Sequence, residues 1–314
     1  MALLDIDYVL AKLQWMEQNG IWPNGLRYLW TDAFGLVLYL SLYDRTGDVA
    51  YLSKSKSLVN EVYRVLGRRR GLRIGEEEDR DGQYYHYLAM WIYALGIYGQ
   101  FEREYTDEAI ALVKQIHPRF VHPDYGVLWK MEEDLSAAYP GYGLGSMDAF
   151  DGYVVYKLLD EDALAGEIRE MRQLIERDYK TLFIDQDLGL GMMLWLCHFF
   201  PDEPWSIYQR KTSLAHLDSL WVDSPGYFCR QSEERATKFA FTNYGVSLGL
   251  QAVDQTPERV ARLNGFFDRY RSGDEYDRNS ITHVMACTSH FPGLFLGDGC
   301  GSQPDATPAR REER

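Results

Sequence analysis

Two kinds of helical segment alternate along this chain, and the alternation restricts the fold more than any other feature. Apolar residues recur at helical spacing in nearly every segment, whereas alternating β-branched runs are scarce. Caps and Gly or Pro stops predict twelve helices, over about residues 3–19, 30–44, 48–66, 81–100, 105–120, 147–160, 161–179, 187–200, 204–221, 240–253, 256–270 and 280–291. Charged amphipathic segments alternate with segments that are apolar or aromatic on most faces. Because a helix that is apolar all round is buried, the pattern predicts an all-α (α/α)6 toroid: six helical hairpins arranged as an inner and an outer ring.

The connections between these helices differ in length in a regular way. Short turns such as Asp44–Asp48 follow the apolar helices, whereas longer loops, over 67–80, 121–146 and 222–239, precede them. This asymmetry places the long loops on one face of the toroid, and loops on a rigid scaffold commonly carry the function. Within the second long loop, Gly126–Glu132 has the pattern of a short strand or hairpin.

The chain has no Pro/Gly/Ser-rich or low-complexity linker before its last dozen residues. We therefore expect a single domain over residues 1–298, followed by a disordered C-terminal tail over 299–314. The sequence leaves the oligomeric state open, and a homo-oligomer is compatible with it.

Charge and hydropathy exclude two kinds of partner. The formal net charge of -14 argues against nucleic acid, whose phosphates require clustered Lys and Arg. The N-terminus lacks the basic and apolar regions of a signal peptide, and no stretch approaches 18 uncharged apolar residues. We therefore expect a cytoplasmic protein without an integral membrane segment. Its four cysteines lie far apart and are expected to be free thiols: Cys197, Cys229, Cys287 and Cys300.

Carboxylates gather where the apolar helices begin, and two pairs exceed what helix capping requires. Asp148 and Asp151 lie three residues apart on one helical face, so that one can cap while the other points into a pocket. Asp151 is the first catalytic candidate. Asp185 and Asp187 flank another helix start, where Gly189 and Gly191 would leave room for a ligand beside the helix. Asp187 is the second catalytic candidate. Capping alone remains an alternative for each of these acids.

A third group lies in the segment Asp81–Tyr87, where an acid, tyrosine hydroxyls and the imidazole of His86 could form one cluster. Asp81 and His86 are therefore further catalytic candidates, although a histidine on an aromatic helix is also a common core residue. The residues expected to bind substrate are mainly aromatic and lie at or before helix starts: Trp30, Asp32, Tyr84, Trp129, Tyr142, Asp185 and Tyr244.

The sequence gives little support for a metal or cofactor site. No helical ligand pair such as H-E-x-x-H, no phosphate-binding loop and no G-x-S-x-G elbow between a strand and a helix occurs. Asp185 with Asp187 could hold a hard cation, but a D-x-D pair alone is weak evidence. We predict neither a cofactor nor a metal.

Three segments carry a resemblance to a known group of proteins: Trp30–Phe34, Thr46–Leu52 and Asp81–Tyr87. There the chain resembles the six-hairpin glycosidase superfamily, in which an inner helix, a turn like Thr-Gly-Asp and an outer helix opening with Tyr-Leu follow one another. The resemblance implies an (α/α)6 toroid with a central pocket, and often sugar chemistry by carboxylates. The chain resembles a set of bacterial proteins of unassigned function more closely than it resembles that superfamily, at four segments: Arg80–Tyr87, Trp129–Met131, Asp148–Gly152 and Asp277–Asn279.

These features favour a carbohydrate-active enzyme of the glycoside hydrolase or lyase type. It would act on a small-molecule substrate through paired Asp residues as general acid and base in an aromatic-lined pocket. Similar toroids also act on isoprenoids, so a cyclase, isomerase or hydratase with an apolar substrate is one alternative. A non-enzymatic α-toroid that binds a partner protein is another.

Overall fold

A computed structural model describes residues 3–221 and 239–297. The expected tail over 299–314, together with Cys229, Cys300 and most of the long loop over 222–239, lies outside these residues. Cys197 and Cys287 are free and buried, as expected.

All twelve predicted helices are present in the described residues, with bounds close to the expected ones. They are α1 (Ile6–Gln18), α2 (Leu29–Thr46), α3 (Ala50–Leu66), α4 (Tyr85–Gly99), α5 (Glu104–Phe120), α6 (Asp148–Leu159), α7 (Ala165–Asp178), α8 (Asp187–Phe199), α9 (Pro204–Leu220), α10 (Ala240–Ala252), α11 (Pro257–Phe267) and α12 (Ser280–His290). Short 3-10 helices cover Glu275–Arg278 and Gly293–Leu296.

The two helix types occupy two concentric rings. Every residue from Leu88 to Tyr98 of α4 is buried, whereas α7 buries little more than Met171, Leu174 and Ile175. The even-numbered helices pack against one another in sequence order, and α12 packs against α2 to close the inner ring. The odd-numbered helices lie outside them, and the first helix of the chain completes the outer ring by packing on α12. The predicted all-α (α/α)6 toroid is therefore confirmed.

The turns at the two ends of the toroid differ as expected. Helix α2 ends at Thr46 and is capped by Gly47, whose φ of +70° is a left-handed conformation that glycine adopts at low cost; α3 begins three residues after this cap. On the opposite face, 18 and 27 residues separate α3 from α4 and α5 from α6. These longer connections surround the N-terminal ends of the inner helices.

Two small β-ladders order the long loops. Val121–His122 pairs with Gly126–Val127, and Gln83–Tyr84 pairs with Lys130–Met131. Short strands are thus present within Gly126–Glu132, but they pair with residues after α5 and before α4 rather than with each other, so that segment is not itself a hairpin. Helix α4 begins at Tyr85 rather than at residue 81 because Gln83 and Tyr84 are held in a strand. Within the described ranges, no helix is both long and apolar enough to cross a lipid bilayer.

Candidate active site

A cavity of about 360 Å³ opens where four of the inner helices begin. Trp30 comes from α2, His86 from α4, Asp148 and Asp151 from α6, and Met192 from α8. The remaining wall comes from the loops that precede α6 and α8: Trp129, Leu144, Gly145, Ser146, Met147, Phe183, Ile184, Asp185, Gln186, together with Leu188 and Gly189 of α8. The cavity therefore lies on the long-loop face, where the sequence predicts the functional site.

Asp148 and Asp151 form the acidic wall of this cavity. Both lie in the first turn of α6 and are almost fully buried, with 4% and 6% of their surface exposed. Burial raises the pKa of Asp151 to about 8. Burial and the nearby charge of Asp151 raise the pKa of Asp148 well above its usual range. Oδ1 of Asp148 has no hydrogen-bond partner in the described part of the chain. At neutral pH these carboxyl groups are therefore proton donors.

His86 faces the same two acids from α4. Its Nδ1 lies 4.0 Å from Oδ1 of Asp148, and its ring contacts Trp30 edge-on at 5.8 Å between centroids. The side chain keeps 27% of its surface accessible because it lines the cavity. The rest is enclosed by protein, and this burial lowers the pKa of His86. A neutral imidazole that can accept a proton thus lies beside two protonated carboxyl groups.

Trp30 and Trp129 supply the aromatic surfaces of the cavity. Trp30 is buried, whereas Trp129 is 39% exposed at the mouth. Tyr84 stacks behind Trp129 with 5.6 Å between ring centroids and 14° between the planes, and Tyr142 meets Trp129 edge-on at 5.2 Å. Tyr84 and Tyr142 do not themselves line the cavity. Tyr142 contacts the cavity wall through Trp129, whereas Tyr84 contacts it through Trp129 and through His86, on which it stacks with 5.6 Å between ring centroids.

Asp81 lies outside the cavity and holds Lys130, the neighbour of Trp129 in the chain. Lys130 is buried beneath the ring of Tyr139, and its Nζ lies 3.1 Å from Oδ1 of Asp81. The hydroxyl of Tyr139 donates to the other oxygen of Asp81 at 2.5 Å. Both hydrogen bonds lower the pKa of Asp81, and the one from Tyr139 has the larger effect. Asp81 is therefore ionised and anchors the strand after Trp129.

The second predicted acid pair divides between two environments. Asp185 is exposed and lines the rim of the cavity. Asp187 is turned away from it: Oδ1 accepts from the backbone N–H of Leu188 at 2.9 Å, and Oδ2 accepts from the hydroxyl of Thr242 at 2.7 Å. The latter bond joins α8 to α10. Burial raises the pKa of Asp187.

Two predicted substrate-binding residues lie among other partners. Asp32 is fully buried, and its Oδ1 accepts from Arg27 and from Nε1 of Trp22, each at 3.0 Å. Tyr244 is buried near the outer ring, where its hydroxyl donates to Asp268 at 3.1 Å. The structure thus brings together Asp148, Asp151, His86, Trp30, Trp129 and Asp185, and places Asp187, Asp81, Asp32, Tyr84, Tyr142 and Tyr244 outside the cavity wall.

Sequence reasoning missed the apolar wall of the cavity and one close approach. Leu144, Met147 and Phe183 line the cavity, and Phe183 is 69% exposed. Large apolar residues in loops that precede inner helices were the signal that could have found them. Gly145 packs directly against Asp148, which only a contact map reveals. In residues 3–221 and 239–297, no group of three or more His, Cys, Asp and Glu side chains is placed to hold a metal ion.

The ring of six inner helices, with a cavity at the N-terminal ends of four of them, defines an (α/α)6 toroid with a central pocket. Solved structures of this architecture superpose on most of the chain. A D-mannose isomerase aligns with a TM-score of 0.60 at 13% identity, covering 85% of this chain and 87% of that one. The cellobiose 2-epimerase from Bacillus thermoamylovorans B4167 aligns with a TM-score of 0.58 at 12% identity, over 84% and 87% of the two chains.

An alpha-1,6-mannanase from Salegentibacter sp. HEL1_6 is similar over a larger share of its length. It aligns with a TM-score of 0.59 at 12% identity, covering 92% of this chain and 99% of that one. No protein-family model matches this chain, and no curated protein sequence matches it. At such low identity the likeness shows the fold, and it agrees with the resemblance to six-hairpin toroids.

Proposed function

We propose that this chain is a carbohydrate-active enzyme that moves protons on a small sugar, as in an isomerase or epimerase. The reaction would take place in the central cavity, with His86 as the base and Asp151, assisted by Asp148, as the acid. The three superposed structures support a sugar substrate, since they are named as a mannose isomerase, a cellobiose epimerase and a mannanase.

One observation carries the choice of reaction: an imidazole and a pair of buried carboxyl groups face the same cavity, with Nδ1 of His86 4.0 Å from Oδ1 of Asp148. A raised pKa keeps Asp151 protonated at neutral pH, and a lowered pKa keeps His86 neutral. A general acid and a general base must be available together. The neutral ring of His86 can accept a proton beside a protonated Asp151, and the burial that keeps this ring neutral also makes it a weaker base. The base is an imidazole rather than a second carboxylate.

The proposed chemistry is a balanced proton transfer. His86 removes the proton from the carbon beside the carbonyl of an open-chain sugar, while Asp151 donates its proton to the carbonyl oxygen, and an enediol results. In an isomerisation, the His86 imidazolium returns its proton to the neighbouring carbon, while the hydroxyl on the original carbon gives its proton to the Asp151 carboxylate and becomes the new carbonyl. In an epimerisation, the enediol turns over in the cavity, His86 returns the proton to the opposite face of the original carbon, and the hydroxyl formed from the carbonyl gives its proton back to Asp151.

The wall of the cavity suits a ring that is polar at its edge and apolar on its faces. Trp30 and Trp129 present aromatic surfaces for stacking, and the volume of about 360 Å³ lies within the range of small-molecule pockets. Nε1 of Trp30 and Oδ1 of Asp148 have no hydrogen-bond partner in the described part of the chain. The described wall of this cavity carries four titratable groups, Asp148, Asp151, Asp185 and His86, and these favour a hydroxylated substrate over the isoprenoid that the sequence left as an alternative.

A glycoside hydrolase is the second candidate, because α6 carries two carboxyl groups one helical turn apart. Hydrolysis by a carboxyl pair needs one of them ionised. With its pKa at about 8, Asp151 meets that condition only in alkaline solution. The neutral imidazole therefore favours proton transfer over glycoside cleavage at neutral pH.

The test incubates the protein in D2O with mannose, cellobiose and an alpha-1,6-linked mannobiose. Proton NMR then follows the loss of the C–H signal beside the carbonyl as deuterium replaces that hydrogen. A reducing-sugar assay follows hydrolysis. We expect exchange or conversion of at least one sugar, at least 100-fold slower in His86→Gln and Asp151→Asn and unchanged in the surface control Asp162→Asn. New reducing ends without exchange would favour the hydrolase. Turnover that survives both cavity substitutions would refute the assignment of the site.

A further inference from the structure

A second cavity of about 370 Å³ lies between α1 and the segment that joins α11 to α12. Its wall consists of Tyr8, Ala11, Lys12 and Trp15 of α1, together with Arg271, Asp277 and His283. It shares no lining residue with the central cavity. The proposed sugar chemistry gives this space no role.

Two cations face this cavity without a carboxylate partner in the described residues. The ammonium group of Lys12 lies 5.5 Å from the ring centroid of Tyr8 and 5.6 Å from that of Trp15. The guanidinium of Arg271 donates from Nη1 to the backbone carbonyl oxygens of Asp268 and Tyr270, at 3.2 and 2.6 Å. Within the described ranges, no carboxylate oxygen lies within 4 Å of either cation.

The acids nearest to these cations already have other partners. Oδ1 of Asp277 accepts from the N–H and hydroxyl of Ser272, and its Oδ2 accepts from the N–H of Gly273. Asp268 accepts from the hydroxyls of Tyr8 and Tyr244, and contacts His290 at 3.0 Å. Hydrogen bonds within the protein therefore already stabilise the charges of these two carboxylates.

His283 completes the wall as a neutral ring. Its Nε2 lies 2.8 Å from the carbonyl oxygen of Asp277, so this nitrogen carries the proton. Burial, and next the charge of Lys12, lower the pKa of His283 to about 4. Trp15 meets the His283 ring edge-on at 4.7 Å and keeps 38% of its surface exposed. The cavity thus combines two cations with exposed aromatic surface.

Lys12 is partly exposed and Arg271 is exposed at this cavity, so both can meet a ligand from solution. Burial lowers the pKa of Lys12, the charge of Asp268 offsets part of that effect and the charge of Arg271 adds to it, and an anion between the two cations would favour the charged ammonium further. A chain with a formal net charge of -14 has many carboxylates that could serve, yet none in the described residues fills this position. An anion from outside the chain could occupy it.

We propose that this cavity binds an anionic ligand, a phosphate or carboxylate group carried on a ring that packs against Trp15. Lys12 and Arg271 would hold the anion through charge-assisted hydrogen bonds. The volume of the cavity exceeds what a bare phosphate fills. A ring packed on the exposed face of Trp15 would occupy the remaining space. This site is independent of the proposed reaction in the central cavity.

The test measures binding by calorimetry and by tryptophan fluorescence at low ionic strength. The probes are inorganic phosphate, glucose 6-phosphate and glucuronate, with glucose as the uncharged control. The variants are Lys12→Met, which keeps the apolar stem, and Trp15→Ala. Lys180→Met is the matched control, because Lys180 also lies over a tyrosine ring, 5.4 Å from the centroid of Tyr179, but does not line this cavity.

We expect glucose 6-phosphate or glucuronate to bind saturably and more tightly than inorganic phosphate. Lys12→Met should weaken that binding about tenfold or more, since one charge-assisted hydrogen bond is lost, and Lys180→Met should not. Trp15→Ala should weaken the binding of the ring-bearing probes more than it weakens the binding of inorganic phosphate. Which of the two ring-bearing probes binds more tightly identifies the anion as phosphate or carboxylate.

Three results would overturn the proposal. The first is the absence of saturable binding for all three anions. The second is equal weakening by Lys12→Met and Lys180→Met. The third is binding of the anions that neither Lys12→Met nor Trp15→Ala affects, because the anions would then occupy another site. Circular dichroism of each variant confirms that it is folded, and Lys12→Gln replaces Lys12→Met if the latter is not.

Discussion

Gly145 lies directly against the carboxyl group of Asp148 in the wall of the central cavity. A Cβ atom on Gly145 would stand 1.8 Å from Oδ2 and 2.8 Å from Oδ1 of that residue. Gly145→Ala must therefore turn the Asp148 side chain out of its place. We expect turnover to fall about 100-fold, the loss that a misplacement of 1 Å at a reacting group can cause. Turnover is measured on whichever sugar the exchange assay identifies.

The same loop offers a matched control for this substitution. A Cβ on Gly143 would meet nothing within 4 Å, and its backbone is not left-handed. Gly143→Ala should therefore leave turnover within about twofold of the wild type. Equal turnover in the two variants would show that the position of Asp148 does not matter for the reaction.

Burial of Asp151 makes the stability of the protein depend on pH. The pKa of this carboxyl is about 8 in the folded chain, against an ordinary value of 3.8. Between these values the unfolded chain releases the proton while the folded chain keeps it. The unfolded state then binds fewer protons, so the free energy of unfolding falls as the pH rises, by at most about 1.4 kcal/mol per pH unit for one group. This contribution is fully present below about pH 4 and is lost by pH 8.

Asp151→Asn removes this titration. We expect the variant to gain stability relative to the wild type between pH 5 and pH 8, as measured by urea unfolding at both values. Asp162→Asn is the control, because Asp162 lies exposed before α7. A constant difference between Asp151→Asn and the wild type at the two pH values would contradict the raised pKa.

Asp32 gives a prediction that separates a structural role from substrate binding. Its ion pair with Arg27, at 3.0 Å, has both side chains almost fully buried. Asp32→Asn leaves the guanidinium without its countercharge, which typically costs about 3–5 kcal/mol. We expect a lower free energy of unfolding and an unchanged KM. The double variant Arg27→Met/Asp32→Asn should lose less stability than the sum of the single losses. A raised KM with unchanged stability would instead favour the substrate-binding role predicted from the sequence.

The helix pattern was sufficient to predict the toroid, because burial on one face or on all faces is encoded in the residues of each helix. Asp148, Asp151 and Trp30 could be placed at the cavity for a related reason: they lie at the starts of apolar helices, which must meet at one end of the ring. His86 could also be placed at the cavity, because it lies one residue after the start of α4.

Other residues at helix starts could not be placed, since their partners come from distant parts of the chain. Asp187 bonds Thr242, 55 residues away, and Tyr244 bonds Asp268, 24 residues away. An acid that caps a helix and an acid that faces a pocket look the same in the sequence. The direction of each side chain depends on packing between helices, which no local pattern records.

Gly191 shows the same limit at the level of the backbone, and it gives the last prediction. The sequence suggested that this glycine leaves room for a ligand, but the space is occupied by α10. A Cβ on Gly191 would stand 2.4 Å from the carbonyl oxygen of Gly245. In the same contact, a Cβ on Gly249 would stand 2.1 Å from the carbonyl oxygen of Gly191. Backbone atoms cannot move aside as a side chain does, so Gly191→Ala must push α8 and α10 apart. We expect a loss of about 1–3 kcal/mol in the free energy of unfolding.

Gly166 of α7 is the matched control for that experiment, because a Cβ there would meet nothing within 4 Å. Alanine is favoured over glycine inside a helix by about 0.5–1 kcal/mol, so Gly166→Ala should stabilise the protein slightly. Chemical unfolding of both variants compares the two effects under identical conditions. If Gly191→Ala were as stable as Gly166→Ala, the close contact between α8 and α10 would not exist in solution, and a ligand beside Gly191 would again be the better explanation for this glycine.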